Sequence, residues 1–196
     1  MNSYSLFLLC LASYLLGNFM SAVLVAKLLG LPDPRLSGSR NPGATNTLRV
    51  SGAKVAFALT LLLDTAKAIL PHLVMIQLGY THHWSLFAAL CAVCGHVRPL
   101  HGQGGRGVAC AIGFFTIIAP KLALVSFCFW CILIVIVGLD HAGLCTMINL
   151  FVTASAYFLV SDDSIVTCLV AFLTMLLFKT HSAYIPKFYQ HMARLR

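Results

Sequence analysis

Seven apolar runs, separated by short polar segments, dominate the pattern of hydrophobic positions along the chain. Several approach the ~20 consecutive apolar residues that a helix needs to cross a bilayer. The pattern therefore predicts membrane-spanning helices. The runs cover approximately residues 4–30, 53–79, 82–97, 108–119, 121–138, 143–160 and 163–180.

The number of spans depends on the short fourth run, which ends at Ala119-Pro120-Lys121. This run is either a separate span or the first part of one long run to residue 138. The basic residues decide between these alternatives, because Lys and Arg concentrate in cytoplasmic loops. They follow the first, third and last runs: Arg35, Arg40, Arg49 and Lys54, then Arg98 and Arg106, then Lys179, Lys187, Arg194 and Arg196.

Seven spans with the amino terminus outside place all three basic segments in the cytoplasm. A merged span over 108–138 would put the basic tail outside. We therefore predict an all-α integral membrane protein with seven transmembrane helices and a cytoplasmic carboxyl terminus, in which Lys121 falls on the outer side. No internal repeat or linker is evident, so residues 1–196 are predicted to form one polytopic domain.

Composition excludes a soluble domain. Hydrophobic residues make up 60% of the 196 residues and charged residues only 9%, with no glutamate, which is too little charge to cover a soluble surface. In a membrane protein, the net charge of +8 reflects basic cytoplasmic loops and their contact with anionic lipids, and it does not indicate nucleic-acid binding. All eight cysteines lie in apolar runs, so we interpret them as small apolar residues despite CxxC spacing at 91/94 and 128/131.

The first polar segment, Ser37-Gly-Ser-Arg-Asn-Pro-Gly-Ala-Thr-Asn46 with Arg49 after it, concentrates groups that bind anions. Its glycines allow close approach of the backbone to a ligand. Its hydroxyls and amides supply donors and acceptors, and its arginines have the planar fork that fits phosphate. The segment is either an oxyanion or phosphate cradle at the membrane edge or a solvated loop with Pro-Gly turn chemistry.

The second run carries two opposite charges, Asp64 and Lys67, three residues apart and therefore on one helix face. Ionisable residues within a membrane are expensive and point to function, each with the other as its partner. The alternative is a structural ion pair, which we favour for Asp64. The role of Lys67 stays open, since its side chain could also face a cavity shared with the arginines.

The second polar segment runs from His96 to Val108 and places four glycines around Arg106 at the start of a run. Backbone N–H groups and a cation together favour anion binding. The spacing differs from that of a Walker A sequence.

The third polar segment, Lys179 to Lys187, follows the last run. His181 could act as an acid–base group or donate to phosphate. The two lysines are alternatively stop-transfer charges, and Tyr184 could be an interfacial anchor.

These three segments are predicted to meet at the cytoplasmic face. They offer cations, N–H groups, hydroxyls and a histidine, but Asp33 is their only acid. Hard metal cations prefer carboxylates, so we predict that the site holds no metal. The set favours a site that binds a phosphorylated substrate and stabilises an acyl-transfer intermediate.

At these residues the chain resembles the bacterial acyl-phosphate:glycerol-3-phosphate acyltransferase family (PlsY). The resemblance is carried, in the family's order and over nearly the whole chain, by Gly38-Ser-Arg-Asn-Pro-Gly-Ala-Thr-Asn46 with Arg49, Leu62-Leu-Asp-Thr-Ala-Lys67, Gly95-His96 with Pro99, Gly104-Gly-Arg-Gly-Val108 and His181.

The resemblance implies a seven-span enzyme of the bacterial inner membrane with its active site on the cytoplasmic side. Such an enzyme transfers an acyl chain from acyl phosphate to the sn-1 hydroxyl of glycerol 3-phosphate, giving lysophosphatidic acid and phosphate in phospholipid synthesis. The expected partners are these two substrates and membrane lipids, in a monomer or weak oligomer. No cofactor is expected, because acyl phosphate is an activated mixed anhydride.

The expected site divides into two groups. Ser39, Arg49 and His181 are expected to be catalytic. The residues expected to bind substrate or phosphate are Asn41, Gly43, Thr45, Asn46, Lys67, His96, Gly104, Gly105, Arg106 and Gly107.

The chain departs from the family pattern, most of all in the third motif. The family typically has His-Arg-x-Asn there and a later Glu, where this chain has His181-Ser-Ala-Tyr184 and no Glu. Arg106 and Gln103 each stand where lysine is common, and Arg40 stands where glycine is usual. The chain is therefore a divergent active enzyme, an enzyme with an altered substrate, or an inactive paralogue that binds lipid or phosphate. A small transporter is less consistent with polar segments at one interface, because transporters carry polar breaks at midplane.

Overall fold

The computed structural model describes residues 3–182, and every regular element in that range is helical. The chain forms two compact units, Met1–Ile118 and Ala119–Arg196. The first unit contains six helices: α1 (Ser3–Asn18), α2 (Ser21–Leu28), α3 (Ala44–Ser51), α4 (Lys54–Gln77), α5 (His82–Val97) and α6 (Val108–Ile118). The second contains α7 (Pro120–Val137), a 3₁₀ turn (Leu139–His141), α8 (Ala142–Val160) and α9 (Ser164–His181).

In the first unit α5 lies between α1 and α4, while α6 packs on α4. Glycines allow these helices to approach closely. A Cβ on Gly95 of α5 would overlap the Tyr14 carbonyl of α1, and a Cβ on Gly113 of α6 would overlap the Thr65 carbonyl of α4. Small residues at helix contacts are typical of membrane proteins. The beginning of α4 and the end of α5 adjoin the first and the second polar segment, respectively.

The first apolar run, which is expected to form one span over residues 4–30, forms two helices with a 45° bend between them. The break lies at Phe19 and Met20. The Phe19 carbonyl accepts a hydrogen bond from the Lys67 ammonium, and the Val23 N–H bonds Met20 instead of Phe19. A side chain inserted from another helix is a known cause of such kinks.

In the second unit α8 packs against both α7 and α9. Polar side chains join α7 to α8: Trp130 Nε1 donates to Thr146 Oγ1 at 3.0 Å, and Asn149 Nδ2 donates to Ser126 Oγ at 2.9 Å. Pro120 opens α7 at the first helical position, where its missing N–H costs nothing. The fourth and fifth runs are therefore separate helices.

The fold is that of a multi-pass membrane protein. Within residues 3–182, four helical segments are long and apolar enough to cross a bilayer, or five if α1 and α2 form one broken span. The helices α5 and α6, with 16 and 11 residues, are shorter. The seven-span count and the orientation of the termini stay predictions.

Candidate functional site

The first polar segment is folded around the side chain of Asn46, which is buried at the start of α3. Its Oδ1 accepts from the Ser39 N–H at 2.8 Å, and its Nδ2 donates to the carbonyls of Pro34 at 2.7 Å and Ser37 at 3.2 Å. Arg49 Nη1 lies 3.4 Å from the same Oδ1. One amide thus fixes the backbone on both sides of Gly38 and places Ser39 and Arg49 together.

Two residues of this segment have left-handed backbone conformations, Gly38 at φ +61° and Arg40 at φ +56°. Glycine adopts such a φ freely, whereas arginine does so at a cost. The N-cap of α3 is Gly43, so no side chain caps the first N–H groups of this helix. Helix N-termini of this kind attract anions.

The second polar segment meets the first one directly. Gln103 Nε2 donates to the Arg40 carbonyl at 2.8 Å, and both residues belong to the first unit. The Gly105 N–H donates to the His96 carbonyl at 2.9 Å, which folds the glycine-rich stretch back onto the end of α5. Arg106 is half-buried and lies just before the start of α6. The structure therefore brings together Ser39–Arg49 and Gly104–Gly107.

Sequence reasoning treated Gln103 only as a departure from the family pattern and missed its bridging contact. The one signal available was a long polar side chain within a run of glycines. The same segment is tied to α1, since Tyr14 Oη donates to the Arg98 carbonyl at 2.6 Å and Asn18 Oδ1 accepts from the Leu100 N–H at 2.5 Å.

Asp64 and Lys67 form the predicted ion pair, with Lys67 Nζ 2.6 Å from Asp64 Oδ1 and both side chains buried. His96 joins them from α5, with Nδ1 3.4 Å from Lys67 Nζ. Asp64, His96 and Cys110 offer three potential metal-ligand atoms within 4.8 Å of one another. The Lys67 ammonium already supplies the positive charge beside two of these three groups, so the cluster is a poor fit to a metal cation.

Asp33 and Arg35 form an exposed ion pair before the first polar segment, with Arg35 Nη2 2.7 Å from Asp33 Oδ2. The hydrogen bonds from Arg35 lower the pKa of the Asp33 carboxyl. The only acid near the polar segments in the sequence is thus ionised and paired with a cation of its own.

His181, the remaining predicted catalytic residue, ends α9 in the second unit. Its side chain is buried, and Nδ1 lies 2.9 Å from the Leu177 carbonyl and 3.0 Å from Thr180 Oγ1. A bond between one ring nitrogen and a carbonyl fixes the ring's orientation and tautomer. The predictions for Tyr184 and Lys187 lie outside the described residues.

The helices and the joined polar segments define a class of protein: a multi-pass membrane protein with cationic, glycine-rich segments that suit an anionic ligand. The model of the glycerol-3-phosphate acyltransferase family matches residues 7–191. The chain belongs to this family.

Curated relatives and solved structures agree with this assignment. The chain is 40% identical over 185 residues to the glycerol-3-phosphate acyltransferase of Bordetella petrii, covering 89% of this chain and 85% of that one. It is 45% identical over 125 residues to that of Pseudomonas fluorescens, covering 63% of this chain. That match spans 66% of the Pseudomonas protein, just under two thirds of its length.

The fold is similar to crystal structures of PlsY (YgiH), an integral membrane glycerol 3-phosphate acyltransferase. For the glycerol 3-phosphate form the TM-score is 0.82 at 27% identity, and for the lysophosphatidic acid form it is 0.81 at 26% identity. Both matches cover 95% of this chain and 93% of the solved chain.

Proposed function

We propose that the protein transfers an acyl group from acyl phosphate to the sn-1 hydroxyl of glycerol 3-phosphate, giving lysophosphatidic acid and phosphate. The observation that carries this proposal is the contact of Gln103 with the Arg40 carbonyl at 2.8 Å, because it joins the two anion-binding segments in one unit. The forms in which PlsY was crystallised, with glycerol 3-phosphate and lysophosphatidic acid, match an acceptor and a product of this reaction.

In the proposed reaction the acceptor hydroxyl attacks the carbonyl carbon of acyl phosphate. The tetrahedral intermediate carries a negative charge, which Ser39 and the N–H groups of Gly104 and Gly107 stabilise. The bond from carbon to the phosphate oxygen then breaks, and the released phosphate accepts the hydroxyl proton. Acyl phosphate is an activated mixed anhydride, so the transfer needs no cofactor.

Two arginines are assigned to the phosphate groups. Arg49 lies on α3 with its Nη1 3.4 Å from Asn46 Oδ1, and Arg106 lies in the glycine-rich stretch just before α6. Guanidinium forks suit phosphate oxygens because they donate two parallel hydrogen bonds. Asn41, Gly43 and Thr45 complete the phosphate-binding surface at the start of α3. The role of His181 in orienting the acceptor stays a prediction from the family resemblance.

We further propose that the seven apolar segments, counting α1 and α2 as one, are embedded in the bacterial inner membrane. The basic segments then lie in the cytoplasm and the site opens there. The protein acts as one polytopic domain and as a monomer or weak oligomer.

The experiment is an assay of purified protein with acyl phosphate and glycerol 3-phosphate, following phosphate and lysophosphatidic acid together. We expect both products in equal amounts and a loss of about 10²-fold or more in the Arg49→Ala variant. Lys54→Ala is the matched control, since Lys54 is an exposed cation at the start of α4. If the wild-type protein releases no more phosphate than Arg49→Ala, the proposed acyltransferase activity is refuted. A binding protein or an inactive paralogue is then favoured.

A further inference from the structure

A buried polar cluster lies behind the glycine-rich segment and is made of Asp64, Lys67 and His96. Their side chains are only 2%, 4% and 3% exposed. Lys67 Nζ contacts Asp64 Oδ1 at 2.6 Å, His96 Nδ1 at 3.4 Å and the Phe19 carbonyl at the α1–α2 break. An ammonium has three donors, so these three acceptors match its capacity.

The contact with the Lys67 ammonium determines which nitrogen of the His96 ring carries the proton. An ammonium can only donate, so His96 Nδ1 accepts and the ring proton is on Nε2. That nitrogen faces Gly105: a Cβ built on Gly105 would overlap Nε2 and the two ring carbons beside it. The backbone of the glycine-rich segment therefore rests directly on the edge of the imidazole.

His96 holds Gly105 a second time through the main chain, since the Gly105 N–H donates to the His96 carbonyl at 2.9 Å. Gly104 is equally confined, because a Cβ there would overlap the Val97 carbonyl and Pro99. The next residue along the chain is Arg106. The His96 ring therefore lies against the backbone that leads to Arg106.

We propose that His96, oriented by the ion pair of Asp64 and Lys67, is a positioning residue that fixes Gly104–Gly107 and so aims Arg106 at a substrate phosphate. Lys67 and His96 then act from behind the segment and do not touch the phosphate. This assignment of Arg106 rests on the proposed function, whereas the support that His96 gives to the segment does not.

Two variants test the proposal. His96→Leu keeps a similar volume but removes the ring nitrogens. The double variant Asp64→Asn/Lys67→Met removes both buried charges together, which avoids leaving one of them unpaired. The first matched control is His72→Gln, which changes a histidine of α4 whose ring nitrogen Nδ1 lies 2.9 Å from Ser85 Oγ. The second is Thr60→Val, which changes a buried α4 hydroxyl with no hydrogen-bond partner among the described residues.

The first measurement is hydrogen–deuterium exchange over residues 98–108 in detergent micelles. We expect faster exchange at this segment in both test variants, with unchanged exchange in α7–α9 and in both controls. The second measurement is steady-state kinetics with each phosphorylated substrate. A misaimed Arg106 should raise the KM of at least one substrate about 10-fold to 100-fold, with a smaller change in kcat.

The outcomes separate the alternatives. Raised KM with unchanged exchange would overturn the proposal, because it indicates that Lys67 or His96 contacts the substrate. Unchanged exchange and kinetics in the folded double variant would also overturn it, even where His96→Leu fails to fold. A wild-type protein without acyl transfer would refute the proposed function alone, since the exchange result still reports on the segment.

Discussion

Replacing Asn46 by aspartate is the most informative single change, because the two side chains have the same shape. The change keeps Oδ1, which accepts from the Ser39 N–H, and replaces the Nδ2 amide by a carboxylate oxygen. That oxygen faces the carbonyls of Pro34 and Ser37, at 2.7 and 3.2 Å from the amide nitrogen it replaces. Two hydrogen bonds become two repulsive contacts.

The expected loss of stability in Asn46→Asp can be estimated from the burial of the Asn46 side chain. Asn46 is 1% exposed, so the Pro34 carbonyl loses its partner without gaining full access to water. A hydrogen bond contributes about 1 kcal/mol net, and an unsatisfied buried group costs about 1–3 kcal/mol. We expect the free energy of opening this segment to fall by about 2–4 kcal/mol, which raises the open population by about 30-fold or more, since ~1.4 kcal/mol is tenfold.

Limited digestion with trypsin measures this opening, because Arg35 is exposed just before this segment and Arg40 is exposed within it. Trypsin cuts these arginines only when the segment is locally open, so the cleavage rate follows the open population. We therefore expect cleavage to be at least about 30-fold faster in Asn46→Asp than in the wild type. Ser37→Asp is the control, since it adds the same charge at an exposed position. Equal cleavage rates in the wild type and Asn46→Asp would refute the organising role of Asn46.

Three further changes test the site and its scaffold. Arg40→Gly should raise the melting temperature in detergent by about 2 °C, because glycine relieves the left-handed φ of +56°; a lower melting temperature would contradict this. Ser39→Ala should reduce kcat by about 10²-fold if the hydroxyl stabilises the oxyanion, and unchanged turnover removes it from the site. Gly95→Ala should destabilise the fold by about 1–3 kcal/mol, seen in thermal unfolding, because the new Cβ overlaps the Tyr14 carbonyl.

The positions of most helices could be predicted from the sequence, because each apolar run ends at a polar or glycine-containing turn. The run at 82–97 coincides with α5, and the run at 163–180 lies within one residue of α9. The break at Phe19 could not be predicted, since it depends on Lys67, which lies 48 residues away in another helix. Local pattern carries no information about such a contact.

The helix α3 was missed for a different reason. Its eight residues are mostly polar, and the segment was expected to be a loop. Signals for it were present, because Gly43 is its N-cap and Gly52 closes it at φ +67°. A short helix bounded by two glycines is visible in the sequence once hydrophobicity is set aside.

The chemistry of the site could be predicted by residue type but not by role. Asn46 is expected to bind substrate from its place in the motif, yet its side chain is committed to the backbone of its own segment. Lys67 is left open by the sequence, because a cation in an apolar run fits both a cavity and an ion pair. Tertiary geometry separates these roles, and spacing alone cannot.

The most direct test of the central claim is the sidedness of positions 40 and 103 in the membrane. Arg40→Cys and Gln103→Cys variants would be labelled with a membrane-impermeant maleimide in inside-out and right-side-out vesicles, with the wild type as the background for native cysteines. Because Gln103 bonds the Arg40 carbonyl, both positions should gain label only in inside-out vesicles. Labelling of the two positions from opposite sides would contradict a shared phosphate-binding surface and, with it, the proposed acyl transfer.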